Sequence, residues 1–383
     1  MTTAPAAAPA FSKGLAGVIA AETSLSSVDG QNGVLTYRGI NIHDLAGRVS
    51  FEEAAYLLWN GRLPKPAELK AFQQELAANR DLPAAVAEHI AGSPVEATPM
   101  DVLRTAVSAL AYYDAETPDI SIEATQRKGM RLMAKFPTIV AAIQRHREGK
   151  PAVASKAELG HAANFLYLLH GGEAQNALQN EAMNLYLVLL ADHSFNASTF
   201  TARVAASTNA DLHSAITAAI GALKGNLHGG AAEATMNMLL EIGSRDKVES
   251  FVANAFETKR KIMGIGHRIY KSGDPRASHL LEWSRRMEEA QGRGANYVDM
   301  AKGVEAAVLT HRELYPNVDF FSAPMLYYLG IPTELDTCVF AISRVAGWTA
   351  HVIEQYNEAT LIRPNAQYIG PKDQAFVALD QRG

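Results

Sequence analysis

The chain has almost no cysteine, because Cys338 is the only one among its 383 residues. A disulfide-stabilised scaffold needs pairs of cysteines, and a thiolate-rich metal site needs several, so both are excluded. A single cysteine fits a reducing compartment without requiring one. We therefore expect a cytoplasmic protein.

Positive charge and long apolar runs are also scarce. The 35 Lys and Arg against 40 Asp and Glu give a net charge of -5, so no general basic field would attract nucleic acid. The longest apolar candidate, residues 185–191, is far short of the roughly 18 residues of a membrane span. The Ala/Pro-rich residues 1–10 lack the features of a signal peptide. We expect no nucleic-acid or membrane partner, and a disordered tail over residues 1–10.

Strand signals are few, whereas helix signals are frequent. Residues 51–59 and 248–256 place apolar side chains at steps of three and four, and alanine, a strong helix former, is abundant. Residues 33–37 predict at most a small hairpin. The predicted fold class is therefore all-α, with the 48% of hydrophobic residues supplying a large core.

The segment 226–231 places His228 before two glycines and a predicted helix. A helix N-terminus disfavours a protonated imidazole, and a neutral imidazole can donate a hydrogen bond to a developing oxyanion. A helix-entry turn with an incidental histidine explains the same residues.

The segment 263–277 combines a Gly-x-Gly turn with His267. Three cations that can bind carboxylates or phosphates follow, namely Arg268, Lys271 and Arg276. A dinucleotide fingerprint would need a glycine where Ile269 stands and a strand before the turn, whereas residues 257–261 predict a charged helix. The segment therefore predicts a site for an anionic substrate.

Four further charged or titratable side chains have a structural interpretation, and for two of them a functional one stands beside it. Asp319, between apolar residues, is a general base if its pKa is raised by burial, or a helix cap. Arg344, in an apolar helix over residues 338–352, binds an anion or forms an internal salt bridge. His193 alone is more typical of a satisfied core histidine, and Arg363 of a helix end at the surface. No carboxylate pair lies at ligand spacing beside the histidines, so no metal is expected.

Taken together and in this order, the motifs resemble the citrate synthase family. The matching strings are GLAGVIAAETSLS (14–26), DHSFNASTFTARV (192–204), LKGNLHGGA (223–231), IMGIGHRIYKSGDPRA (262–277), YPNVDFFSAP (315–324), FAISRVAGWTAHVIEQ (340–355) and LIRPNAQYIGP (361–371). The resemblance covers nearly the whole chain after residue 10 and is closest to the short, dimeric bacterial and archaeal type.

The resemblance implies an all-α, two-domain homodimer with the active site in the cleft between the domains. The large helical domain would comprise residues 11–228 and 326–383, and the small helical domain residues 229–325. The family reaction, part of the tricarboxylic acid cycle, condenses acetyl-CoA with oxaloacetate and hydrolyses citryl-CoA to citrate and CoA. It is an acyl transfer in which the acyl group becomes alkyl, and it needs no cofactor, since acetyl-CoA is a substrate.

The resemblance also assigns roles to residues. Asp319 matches the base, His228 the donor to the thioester oxygen, and His267 the group that polarises the ketone of oxaloacetate. The residues that match oxaloacetate contacts are His193, Asn196 (as a contact or a supporting residue), Arg276, Arg344 and, from across the dimer, Arg363. The residues expected near CoA are Leu227, Gly229, Ile262, Met263, Gly264, Ile265, Gly266, Arg268, Lys271 and Arg312.

Two alternatives stay open. A 2-methylcitrate synthase, which uses propionyl-CoA, shares the catalytic set, and one methylene in the acyl pocket is worth only about 1–3 kcal/mol of discrimination. A non-catalytic CoA- or metabolite-binding homologue would have lost a catalytic residue. In either enzyme we expect oxaloacetate to bind first and to close the cleft by induced fit.

Overall fold

Helices dominate the computed structural model, which describes residues 11–291 and 296–382. The predicted tail, residues 1–10, lies outside the described residues. The described helices are α1 Ile42–Leu45, α2 Phe51–Asn60, α3 Pro66–Ala78, α4 Ala84–Ala91, α5 Pro99–Leu110, α6 Ile122–Arg147, α7 His161–Leu169, α8 Ala177–Leu190, α9 Ala197–Ala206, α10 Leu212–Leu223, α11 Ala231–Ile242, α12 Val248–Glu257, α13 Ala277–Gln291, α14 Tyr297–His311, α15 Val318–Tyr328 and α16 Asp336–Glu358. The all-α prediction is confirmed.

One small antiparallel sheet contains the predicted hairpin and a third strand. Strands β1 Ser26–Asp29, β2 Val34–Tyr37 and β3 Ile40–Asn41 pair in the order β1-β2-β3. Leu35 and Tyr37 point into the core, as strand alternation requires. The Tyr37 hydroxyl donates to the Leu189 and Asp192 carbonyls at 3.1 and 3.0 Å, so the sheet supports the segment before His193.

Helix α16 forms the centre of the larger set of helices. It contacts α2, α6, α8, α9 and α10, and nearly all of its side chains are buried. It extends beyond the predicted residues 338–352 at both ends, and burial continues there with Asp336 and Thr337 before that range and Ile353 and Gln355 after it. It ends at Glu358, where Ala359 adopts a left-handed conformation with φ of 51°.

Helices α11 to α15 pack mainly on one another. Helix α15 contacts α11, α13 and α14, and α12 lies against α14. These helices coincide with the predicted small domain, except that its boundary after residue 325 falls inside α15. The division into two domains stays a prediction. No helix in the described ranges is long and apolar enough to cross a membrane.

Candidate active site

The loops that carry His267 and Asp319 are hydrogen-bonded to each other. The Gly266 N–H donates to the Tyr315 carbonyl at 2.8 Å, and the Asn317 N–H donates to the Gly264 carbonyl at 2.9 Å. These contacts place the His267 loop against the N-terminus of α15, where Asp319 lies in the first turn.

Gly264 is required at the point where the two loops meet. Its φ is 73°, and a Cβ added there would lie 2.9 Å from the Phe320 Cα and 2.7 Å from the Thr235 Oγ1. A larger residue would therefore strain the backbone and push the His267 loop away from α15. The glycine turn serves close packing, which is how it brings His267 and Asp319 together.

His228 is held as a neutral imidazole with a defined tautomer. The Ser198 backbone N–H donates to the His228 Nε2 at 3.3 Å, so the ring proton lies on Nδ1. Ser198 is in the first turn of α9, whose positive end disfavours a protonated ring. Burial, and then the charge of Arg344, lowers the pKa of His228 to about 4. The Nδ1–H is thus the available donor.

From the sequence, this effect was expected from the helix after His228. Helix α11 does begin at Ala231, as predicted, but the ring binds the N-terminus of α9 instead. The Ser198 hydroxyl lies 2.8 Å from the His228 Nε2, and it accepts from the Trp348 Nε1 at 3.1 Å. Ser198 is a site residue that the motifs did not indicate, since its contact joins segments 30 residues apart.

His267 is neutral and has the opposite tautomer. Its Nδ1 accepts from the backbone N–H groups of Ile269 and Tyr270 at 3.0 and 3.1 Å, which leaves the proton on Nε2. Burial, and then the charge of Arg276, lowers the pKa of His267 to about 4. The two histidines therefore present Nδ1–H and Nε2–H donors at neutral pH.

Asp319 has the raised pKa expected of a general base. Burial raises the pKa of its carboxyl to about 7, although the nearby charges of Arg276 and Arg344 oppose the increase. The alternative interpretation as the helix cap is wrong, because the Asn317 Oδ1 caps α15 by accepting from the Asp319 N–H at 3.0 Å.

Arg276 is buried and paired with Asp274, an acidic residue that was not among the predicted site residues. Its Nε and Nη2 donate to the two oxygens of Asp274 at 2.9 and 2.7 Å. The Val318 N–H at the start of α15 donates to the same carboxylate at 3.1 Å. Burial alone would raise the pKa of Asp274, but the Arg276 guanidinium lowers it below its ordinary value. Asp274 thus fixes Arg276 relative to the helix that carries Asp319.

Arg344 is buried without an ion pair within the described part of the chain. Its Nε donates to the Leu190 carbonyl at 2.7 Å, and its guanidinium lies 4.6 Å from the centre of the Phe340 ring. Burial lowers its pKa to about 10, and the charge of Asp192 only partly offsets this change. The alternative interpretation, an internal salt bridge, is wrong among the described residues, so the guanidinium is a buried cation that could bind an anion.

His193 lies beside His267 and Tyr270. The His193 Nε2 is 3.0 Å from the Tyr270 hydroxyl, and its ring centroid is 5.6 Å from that of His267. Burial, and then the charge of Arg276, lowers its pKa well below the ordinary value. Ala191, two residues before His193, lies close to α16 at Gly347, where a Cβ would be 2.3 Å from the Ala191 carbonyl oxygen.

Asn196 caps helix α9. Its Oδ1 accepts from the Thr199 N–H at 3.1 Å and from the Ser198 hydroxyl at 2.8 Å, while its Nδ2 donates to the Thr199 Oγ1 at 2.8 Å. These bonds occupy the amide, so the geometry favours the supporting role over a direct contact with oxaloacetate.

Comparison with known proteins shows the family of this chain. The family model described as citrate synthase, C-terminal domain, matches residues 14–365. Citrate synthase 2 of Bacillus subtilis is 47% identical over 97% of this chain and 99% of its own length. The chain belongs to the citrate synthase family. It is an acyltransferase of the citrate synthase type.

Two further relatives in this family are informative. The 2-methylcitrate synthase of Mycobacterium tuberculosis is 42% identical over 94% of this chain and 91% of its own length. A solved ternary complex of carboxymethyl coenzyme A and oxaloacetate with citrate synthase from Thermoplasma acidophilum matches with a TM-score of 0.92 and 33% identity. The match covers 97% of this chain and 100% of the chain in the Thermoplasma acidophilum complex. The predicted citrate synthase fold is confirmed.

Arg363 is the one predicted oxaloacetate residue that lies apart from this cluster. It is exposed, and its Nη1 donates to the Asn365 Oδ1 at 3.1 Å. The prediction that it ends a helix is wrong, because α16 ends at Glu358 and residues 360–369 contain no helix. Its predicted contact with oxaloacetate in the site of the other subunit is compatible with this exposed position and stays a prediction.

The residues predicted to bind CoA lie in the turn before α11, in residues 262–271 and, for Arg312, at the C-terminal end of α14. Leu227 is 96% exposed, whereas Gly229 is buried. Ile262 and Gly264 are buried, while Met263, Ile265 and Gly266 are partly buried. The predicted phosphate contacts Arg268, Lys271 and Arg312 are exposed and have no ion pair among the described residues. Residues 257–261, which precede the Gly-x-Gly turn, were wrongly predicted to be helical, since α12 ends at Glu257.

The clustered acidic and imidazole groups do not form a metal centre in the described ranges, where no group of three or more potential ligands could hold an ion. The histidines use one ring nitrogen to accept hydrogen bonds from the backbone, which fixes the other as a donor. The arrangement can therefore stabilise negative charge on two oxygens while a carboxylate removes a proton.

Proposed function

We propose that this protein condenses acetyl-CoA with oxaloacetate and hydrolyses the resulting citryl-CoA. The observation that carries the proposal is the combination of one carboxyl with a raised pKa and two neutral histidines of opposite tautomer. Two buried arginines complete the set. A thioester α-proton is far less acidic than a carboxyl group. A carboxylate can therefore remove it only if the enolate oxygen is stabilised at the same time.

The residues divide the first step between them. The Asp319 carboxylate removes a proton from the methyl carbon of the thioester, while the His228 Nδ1–H donates to the thioester oxygen. The enolate carbon then attacks the ketone of oxaloacetate, and His267 gives its Nε2 proton to the oxygen that becomes the hydroxyl of citryl-CoA. The proton that Asp319 has taken up makes good the one that His267 gives, so the condensation releases no net proton. Burial and the backbone N–H groups that donate to each ring keep both histidines neutral. Each ring therefore carries one N–H, on the nitrogen that is free to donate to the substrate.

The arginines orient oxaloacetate, which carries two carboxylates. Arg344 is a buried cation with unused hydrogen-bonding capacity, and Arg276 is held in place by Asp274. His193 supplies a further polar contact beside His267. Bidentate pairing of arginine with carboxylate fixes orientation as well as affinity. Water then hydrolyses citryl-CoA to citrate and CoA.

The CoA moiety lies along the His267 loop and extends to the exposed cations. Buried Gly229, Ile262 and Gly264 would bring the backbone near pantetheine, while Arg268, Lys271 and Arg312 would contact phosphates. The solved relative that contains carboxymethyl coenzyme A and oxaloacetate supports binding of both substrates to this fold. We expect no cofactor beyond these substrates.

The active unit is a homodimer to which each subunit contributes Arg363. The C-terminal segment that carries Arg363 exposes large apolar side chains, which would be covered by a second copy of the chain. They are Leu361, Tyr368, Ile369, Phe376, Val377 and Leu379. Oxaloacetate binds first and closes the cleft, which completes the acetyl-CoA site by induced fit. The enzyme acts in the cytoplasm within the tricarboxylic acid cycle.

A second candidate function is 2-methylcitrate synthesis from propionyl-CoA, since relatives of both names match nearly the full chain. Release of the CoA thiol should be measured with oxaloacetate and either acetyl-CoA or propionyl-CoA, with an oxaloacetate-free blank and Asp319→Asn as the matched control. Faster release with acetyl-CoA supports the proposal, and equal or faster release with propionyl-CoA favours the second function. Binding of CoA without any release would mean a non-catalytic homologue.

A further inference from the structure

Ser194, which follows the proposed oxaloacetate contact His193, has a backbone conformation that serine rarely adopts. Its φ is 49°, in the left-handed region that favours glycine. The chain turns at this point, since the Asn196 N–H donates to the Ser194 carbonyl at 3.0 Å. A strained residue of this kind persists only where its surroundings hold it, and such residues concentrate at functional sites. The contacts of Ser194 therefore show what fixes the direction of the chain beside His193.

Two buried side chains hold the backbone N–H of Ser194. This N–H donates to the Ser26 Oγ at 2.8 Å and to the Asp192 Oδ2 at 3.1 Å. The Ser26 hydroxyl in turn donates to the same carboxylate oxygen. Ser26 lies on strand β1, and both it and Asp192 are buried. The three groups form a closed set of hydrogen bonds that is made only while the Ser194 N–H points at the carboxylate.

The Asp192 carboxylate is itself oriented by His351 on α16. The His351 Nε2 lies 3.2 and 3.4 Å from the two Asp192 carboxylate oxygens. The Arg203 Nη1 is 3.4 Å from the His351 Nδ1, and because arginine only donates, Nδ1 accepts and the ring proton is on Nε2. The Glu354 Oε2 is 4.0 Å from Nδ1, too far to accept from it, and accepts from Arg203 at 2.6 Å instead. His351 therefore donates to Asp192 and fixes the direction in which this carboxylate faces Ser194.

The conformation of Ser194 determines how the chain leaves His193. A change to an ordinary negative φ would swing His193 relative to Asn196, which caps α9, so both could not keep their positions. A flip of the peptide group between His193 and Ser194 would avoid that movement. It would, however, turn the His193 carbonyl towards the Asp192 carboxylate that now accepts the Ser194 N–H. The hydrogen bonds thus oppose both ways of relieving the strain.

His193 extends from this turn into the oxaloacetate part of the candidate site. Its Nε2 lies 3.0 Å from the Tyr270 hydroxyl, and its ring centroid is 5.6 Å from that of His267. A contact with substrate depends on such placement to within a fraction of an ångström, and residues behind the contacting side chain supply it. Ser26, Asp192 and His351 stand in that relation to His193.

We propose that Ser26, Asp192 and His351 are positioning residues for oxaloacetate. They keep Ser194 in its left-handed conformation, and through it they aim His193 at the substrate. The inference deepens the proposed function and rests on it.

The first test is Ser26→Ala in the full-length enzyme, with the rate of CoA release measured at saturating acetyl-CoA. The loss of one hydrogen bond that holds Ser194 should raise the KM for oxaloacetate about fivefold. The kcat and the KM for acetyl-CoA should change by less than about twofold. Ser26→Thr keeps the hydroxyl and should keep a KM for oxaloacetate close to that of the wild type.

A glycine at position 194 separates positioning from a merely structural role. Glycine adopts a positive φ without strain, so the double variant Ser26→Ala with Ser194→Gly should recover most of the oxaloacetate KM. If Ser26 only contributed packing or stability, a more flexible chain at residue 194 would recover nothing. Thr138→Val is the matched control, since it removes a hydroxyl hydrogen bond to the Arg80 carbonyl at 3.0 Å on α6. It should leave all three kinetic constants unchanged.

A double-mutant cycle with His193→Ala tests whether the effect passes through His193. In the absence of the imidazole, Ser26→Ala should add less than about twofold to the KM for oxaloacetate, because coupled residues are not additive. An undiminished effect of Ser26→Ala in the His193→Ala enzyme would overturn the proposal. So would an unchanged KM for oxaloacetate in Ser26→Ala, or a glycine at position 194 that leaves the raised KM as it is.

Asp192→Asn is a second variant that tests the same set of hydrogen bonds. His351 donates to the amide oxygen, which leaves the amide N–H groups facing the Ser194 N–H. The KM for oxaloacetate should therefore rise at least as much as in Ser26→Ala, and a wild-type KM would contradict the proposal. If this variant does not fold, the Ser26 variants carry the test. Failure of the proposed function is seen separately, since the wild-type enzyme would then release no CoA from either acyl-CoA.

Discussion

Asp319 determines the pH dependence expected of the site. Its carboxyl must be ionised to remove a proton, and burial raises its pKa to about 7. His228 and His267 have pKa values lowered to about 4, so both stay neutral from pH 5.5 to 8.5, the roughly neutral range in which a general base titrates. The kcat/KM for acetyl-CoA should therefore rise with pH through a single inflection near 7. A profile that is flat down to pH 5.5, with the fold intact by circular dichroism, would contradict this assignment.

Arg276 and Arg344 should differ in their effect on stability although we propose that both bind oxaloacetate. Arg276→Met leaves the buried carboxylate of Asp274 without its partner, which should cost about 3–5 kcal/mol of unfolding free energy. Arg344→Met removes a buried cation that has no ion pair, so its cost should be small. Both variants should raise the KM for oxaloacetate strongly. Urea unfolding and steady-state kinetics check the two effects.

The double variant Arg276→Met with Asp274→Asn is the control for the first effect. It removes both charges of the pair, so it should recover much of the lost stability but not the use of oxaloacetate. Equal stability of the two single arginine variants would show that the ion pair with Asp274 does not contribute as inferred.

The candidate residues could be named from the sequence, and the resemblance assigned them roles that stay predictions, but their surroundings could not be predicted. The histidine, aspartate and arginine candidates could be named because each stands in a distinctive string. Ser198 and Asp274 were missed, since a backbone N–H that meets a histidine 30 residues away leaves no local pattern. The pairing of Asp274 could have been predicted from the sequence, because an acidic residue two positions before Arg276 in a tight turn can form a bidentate pair with it.

At the scale of elements, the first turn of α9 connects stability to catalysis. Asn196→Ala removes the cap, which should cost about 1 kcal/mol of unfolding free energy. It also frees the Ser198 N–H from its fixed position, so kcat should fall while the KM for oxaloacetate changes little. Thermal unfolding and kinetics measure both.

Asn196→Ser is the matched control, because serine is also a good cap. It should keep most of the stability and of the kcat. If Asn196 instead contacts oxaloacetate directly, the serine variant should raise the KM for oxaloacetate as strongly as the alanine variant does.

Helices with strong periodicity were predicted well, and helix ends were not. Residues 51–59 and 248–256 fall in α2 and α12, and α2 is further fixed by the capping box of Ser50 and Glu53. The charged residues after Glu257 favoured continuation of α12, but Lys259 adopts a φ of 57°, which ends the helix. The third strand β3 pairs through only two residues, too few to leave a pattern in the sequence.

At the scale of the whole molecule, the exposed C-terminal segment is the feature that a single subunit leaves unexplained. Arg363 lies in this segment, outside the cluster formed by Arg276 and Arg344. Its exposed position and the apolar side chains around it are what a contribution to a neighbouring subunit requires. If each site combines Asp319 of one subunit with Arg363 of the other, inactive variants should complement each other.

Asp319→Asn and Arg363→Ala should therefore be co-expressed and assayed at low oxaloacetate. Each variant alone should be nearly inactive under these conditions. In a mixed dimer one site combines both changes, while the other has an intact Asp319 and an intact Arg363. Random pairing makes half of the dimers mixed, each with one good site, so about a quarter of the wild-type activity should return. Activity no higher than the average of the two variants would place Arg363 in its own subunit's site or in none.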